Sequence, residues 1–120
     1  MEVMIDLDGL TTKEDVLAKF GEVFEFGGPD GNHPPAAKDG WGLNWDAFKD
    51  SMMSLADGGI WGNSRKFAFP LTITIHNYAG LERKNPEGLA TLRDILASTA
   101  ADYAERGQRL RVAFLPALPA

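Results

Sequence analysis

Two carboxylates, Asp46 and Asp50, stand four residues apart in the segment Gly40-Trp41-Gly42-Leu43-Asn44-Trp45-Asp46-Ala47-Phe48-Lys49-Asp50. On a helix that spacing makes them neighbours on one face, roughly 5–6 Å apart at Cβ. Paired carboxylates can do acid/base chemistry, or they can receive a cation. Acid/base work needs environments that push the two pKa values apart, commonly by burying one acid. A solvent-facing pair lacks that asymmetry and instead offers acceptors to arginine or lysine. Like charges so placed cost a helix about 0.2–0.5 kcal/mol. A chain that keeps them beside aromatic residues and an N-terminal cap therefore presents a binding surface for something positively charged. Two plainer readings stand beside this one. The helix dipole favours Asp46 in a first turn without any partner, and Asp50 serves equally as a solvated acid.

Other chemistries find little support. The chain has no cysteine, which excludes disulfides, thiolate catalysis and cysteine-ligated metal sites. His33 and His76 lack ligand-like spacing, and the scattered glycines fit no phosphate loop, dinucleotide fingerprint or nucleophile elbow. No catalytic residue, metal or cofactor is expected. Seventeen acidic against twelve basic side chains give a net charge of −5, which disfavours nucleic acid and anionic membranes as partners and favours cationic ones. Glu2, Asp6 and Asp8 break up the N-terminus, and no run approaches the ~20 apolar residues of a membrane span. The expected location is the cytoplasm.

The elements that must position the acids follow from periodicity. Val3, Ile5 and Leu7 alternate with Glu2 and Asp6, giving a first strand. Thr11 or Thr12 caps a helix whose stripe is Val16, Leu17, Phe20 and Val23/Phe24. The Gly/Pro-rich stretch 27–40 is a long loop. Asn44 caps a helix from Trp45 to about Ala56, which Gly58-Gly59 stops. Stepping ~100° per residue, Trp45, Phe48, Met52 and Leu55 share one face, while Asp46, Asp50 and Asp57 lie nearly opposite with Met53 between them. Trp41 covers the helix end or contacts a partner, and Trp61 packs a loop. A β-branched strand spans 70–75, and a turn with a short helix follows through His76–Asn85. The next helix, from Pro86 to Arg106, buries Leu89, Leu92, Ile95, Leu96, Thr99 and Tyr103. Arg109–Leu115 forms a last strand before a frayed tail at 116–120. The order β-α-α-β-α-α-β predicts one α/β domain over 1–120, a small, three-stranded, mainly parallel sheet packed by about four helices.

Both the element order and the gapless motif aromatic-Gly-x-Asn-x-Asp-Ala-hydrophobic-x-Asp, carried by Trp41 to Asp50, resemble the barstar family. Members of that family are intracellular inhibitors of secreted bacterial ribonucleases. The resemblance implies a barstar-like fold and a non-catalytic inhibitor acting one-to-one as a monomer. Its acidic second helix and preceding loop would plug the enzyme's cationic active site, with carboxylates taking the places of RNA phosphates. Carried across, Asp50 matches the principal acidic anchor and Asp46 its neighbour one turn earlier. Trp41 and Gly42 match the loop that packs on the enzyme, Asn44 the helix cap, and Asp102 a peripheral acid near the end of the long helix. With Gly40, Trp45, Lys49 and Met53 these residues make up the implied partner surface. Lys49 and Gly40 stand where aromatic residues are expected, and the 27–38 stretch looks inserted. Those departures motivate an alternative, an immunity protein of the same fold against a different toxin.

Overall fold

A computed structural model describes residues 1–26, 44–57 and 67–115. The expected 27–40 loop, the Trp61 packing, His33 and the 116–120 tail lie outside the described residues. Strand β1 (Glu2–Asp6) leads into helix α1 (Lys13–Phe24), and helix α2 (Trp45–Met53) ends in a 3-10 turn at Leu55–Asp57. Strand β2 (Leu71–His76), helix α3 (Ala79–Lys84), helix α4 (Pro86–Glu105) and strand β3 (Leu110–Leu115) complete the order.

The sheet runs β1-β2-β3 with both pairings parallel, so the later β2 sits in the centre. Parallel neighbours need a long crossover. Helices α1 and α2 supply it between β1 and β2, and α3 and α4 between β2 and β3. Register places Ile73 between Val3 and Val112, and Ile75 between Ile5 and Phe114. That face packs on the helices: Val3, Ile5, Ile73 and Ile75 are buried with Phe20, Phe48, Leu92 and Tyr103 in one core. The other face leaves Glu2, Met4, Arg111, Ala113 and Leu115 exposed. This explains the alternation in β1 and β3, because strands covered on both faces read as continuous apolar runs.

Helix starts follow their caps. Thr12, rather than Thr11, caps α1, its hydroxyl accepting from Asp15 N–H at 3.1 Å. Asn85 caps α4 by accepting from Gly88 N–H at 3.0 Å, directly before Pro86 at the first helical position. Gly107, at φ +75°, closes α4 in the left-handed region where a side chain is strained. His76 falls inside β2 and is buried, its Nδ1 without a hydrogen-bond partner among the described residues.

Candidate functional site

Helix α2 is short enough that its position depends on what holds it. Asn44 adopts extended backbone (φ −138°, ψ 160°), and its side-chain oxygen accepts from Ala47 N–H at 2.8 Å. The apolar side then anchors it. Phe48 is fully buried, edge-on to Phe20 at 5.0 Å between ring centroids and to Trp45 at 6.0 Å, with Met52 buried behind it. Trp45 itself is half-buried at the rim of this aromatic cluster.

Helix α2 ends earlier than periodicity predicts, at Met53 instead of about Ala56. The cause is a side chain from α4. The Tyr103 hydroxyl donates to the Met52 carbonyl at 2.5 Å and accepts from Ala56 N–H at 3.4 Å. It thus stands in the place of the i→i−4 bond that would continue the helix, a recognised way to interrupt one. The chain turns into the 3-10 segment, and Asp57 leaves the acidic stripe to pair with Arg106 at 3.5 Å. The same arginine lies over the Tyr103 ring at 5.2 Å. Met53, which the helical step places between the acids, lies half-buried against the core.

On the solvent side, Asp46 and Asp50 are both exposed, and no cation pairs with either among the described residues. Asp46 sits in the first turn, where the helix N-terminus stabilises it. Lys49 lies between them in sequence but points elsewhere. Its ammonium donates to Asp102 Oδ2 and to Ser98 Oγ, each at 2.8 Å, bridging α2 to α4.

The expected site residues therefore divide into three groups. Asn44 caps α2, and Trp45, Asp46, Lys49, Asp50 and Met53 lie on it; of the helix's three charged residues, Asp46 and Asp50 are exposed and without an ion pair among the described residues. Asp102 is drawn to this edge from α4 but is engaged by Lys49. Gly40, Trp41 and Gly42 lie outside the described residues. Sequence reasoning passed over Ser98, placed Tyr103 only on the buried stripe of α4, and gave Arg106 only as the end of that helix. Ser98 and Asp102 are spaced i and i+4 on α4 and so share a face, but nothing local indicates that Lys49 is what they meet.

Among the described residues no cluster of His, Cys, Asp or Glu could hold a metal ion. No helix among them is long and apolar enough to cross a membrane. What the geometry offers is a buttressed helix with two carboxylates, one turn apart, facing water. A family model described as Barstar (barnase inhibitor) matches residues 1–114, nearly the whole chain. No curated protein matches it.

Proposed function

The chain belongs to the barstar family of barnase inhibitors, and from that premise we propose that it inhibits a secreted bacterial ribonuclease by filling the enzyme's cationic active site with the exposed face of α2. The observation that carries the reading is the pair Asp46 and Asp50, exposed and without a cation among the described residues, on a helix clamped from behind by Phe48 and Tyr103. A carboxylate accepts from arginine in the planar, bidentate manner of a phosphate, so two of them in series imitate a stretch of RNA backbone. A helix already held in place loses little conformational freedom on binding, which raises affinity without further contacts. Asp50 is the central anchor, Asp46 its neighbour, and Gly40, Trp41 and Gly42 form the flanking contact. The protein performs no chemistry on RNA. It acts one-to-one in the cytoplasm of a bacterium, where it guards the producing cell against its own ribonuclease.

Titration calorimetry against barnase, wild type beside Asp50→Ala, tests this. The expected result is tight one-to-one binding, weakened at least about a hundredfold by the substitution, the scale of leaving a desolvated cation unpaired. Tight binding indifferent to Asp50→Ala would remove the site assignment while leaving the inhibitor. No binding to barnase favours a second reading, an immunity protein of this fold for a different toxin, which the Lys49–Asp102 pair supports because it cancels the peripheral acid.

A further inference from the structure

Resting on the inhibitor reading, we propose that Asp102 serves partner recognition only through Lys49: its carboxylate holds the Lys49 ammonium away from Asp46 and Asp50, and so keeps the face of α2 anionic. The partner accordingly needs a cationic cleft matched to two carboxylates one helical turn apart, and no cation over α4.

The geometry sets up a competition for one lysine. Lys49 follows Asp46 by three residues and precedes Asp50 by one. Three-residue spacing makes Lys49 and Asp46 helical neighbours, so an unrestrained ammonium there would pair with Asp46. Helix α4 offers more. Ser98 and Asp102 converge on the same nitrogen, each at 2.8 Å, one as a hydroxyl and one as a full charge. The Lys49 side chain is drawn down between the helices until only 25% of it is exposed, against 49% for Asp102. A charge-assisted bond in this half-buried position is stronger than an exposed pair on one helix surface. Lys49 is therefore occupied, and both α2 carboxylates remain available. Without Asp102 the ammonium would return to Asp46, leaving Asp50 to meet the partner alone. Asp102 is thus a positioning residue, and the cation it positions is the one that would otherwise mask the site.

A four-protein cycle of wild type, Asp102→Asn, Lys49→Gln and the double variant, each followed by stopped-flow association with barnase beside Asp50→Ala, tests the assignment. Asp102→Asn alone is expected to slow association about three- to tenfold, the scale of a lost charge in a steered encounter. In the Lys49→Gln background the same substitution should change nothing, and Lys49→Gln alone should bind as well as wild type or better. Equal weakening by Asp102→Asn in both backgrounds would make Asp102 a direct anchor and overturn the proposal. So would Lys49→Gln weakening binding as much as Asp102→Asn does, because the pair would then be a simple brace. If wild type does not bind barnase, the inhibitor reading fails for that enzyme, and a tetra-arginine peptide takes its place in the same cycle, followed by amide shifts at Asp46 and Asp50. The ammonium protons of Lys49 supply a check without any partner. Their exchange with water, read by NMR, should be slow in wild type and fast in Asp102→Asn. Fast exchange in wild type would overturn the proposal.

Discussion

Phe48 and Asp50 lie two positions apart on α2 and have opposite surroundings. The Phe48 ring is shut away among Phe20, Phe26 and Trp45, whereas the Asp50 carboxylate faces water. Truncating the ring leaves a cavity that neighbouring aromatics cannot fill, so Phe48→Ala should cost roughly 3–5 kcal/mol. Asp50→Ala should leave stability unchanged or slightly raised, since it relieves repulsion from Asp46 while removing no ion pair among the described residues. Urea melts of both variants check this, and equal losses would mean the two faces have been exchanged. The division between them was legible from the ~100° helical step alone. The state of Lys49 was not, because Ser98 and Asp102 lie 49 and 53 residues downstream and their convergence exists only once α2 and α4 are packed.

Between elements, the join of α2 to α4 decides where the acidic helix stops and which way it faces. Tyr103 makes that join through one hydroxyl, bonded to both Met52 O and Ala56 N. Tyr103→Phe keeps the ring against Phe69 at 4.7 Å but removes the oxygen. It leaves a carbonyl and an amide short of partners, at a cost of about 1–3 kcal/mol. The same site responds to alkali. Burial raises the Tyr103 hydroxyl above its ordinary 10.0, so the folded state holds this proton more tightly than the unfolded chain does. That contribution is fully present below pH 10.0 and is lost as pH rises beyond it towards the folded value. The stability gap between wild type and Tyr103→Phe, measured by urea melts at neutral and rising pH, should therefore be widest at neutral pH and narrow above pH 10.0. A gap that stays constant would place the hydroxyl outside the join. Cap residues announced the starts of α1, α2 and α4 to the residue or nearly so, because a cap is local chemistry. The end of α2 was missed because its cause is a side chain from another helix. Tyr103 did appear in the sequence as an apolar-stripe position, which located the ring in the core and said nothing of its hydroxyl.

For the molecule as a whole, the parallel three-stranded sheet followed from element order, since strands joined by helix pairs leave few arrangements, whereas the central place of β2 is read from the structure. The alternation of Glu2 and Asp6 with Val3, Ile5 and Leu7, read as a first strand, has its physical reason in the sheet's open outer face. What no local pattern could show is how the net charge of −5 is arranged. Among the described residues three acids have a cation beside them, which leaves the net charge as it is but decides where it lies: Asp57 pairs with Arg106, Asp102 with Lys49, and Glu14 lies within 3.8 Å of Lys13. Asp46 and Asp50 have no such cation among the described residues and stand one turn apart, so a cationic partner approaching α2 meets a local field rather than only the diffuse charge of an acidic protein. Raising salt from about 0.1 to about 1 M shortens the screening length from about 10 to about 3 Å, less than the spacing of the two carboxylates. Stopped-flow association with barnase should therefore slow at least about tenfold over that range, while dissociation changes much less, because screening acts on the encounter more than on desolvated contacts. The double variant Asp46→Asn/Asp50→Asn should associate slowly at low salt and lose most of this dependence. Should the double variant keep the full salt slope, the remaining acids would be steering the encounter and α2 would contribute only short-range contacts.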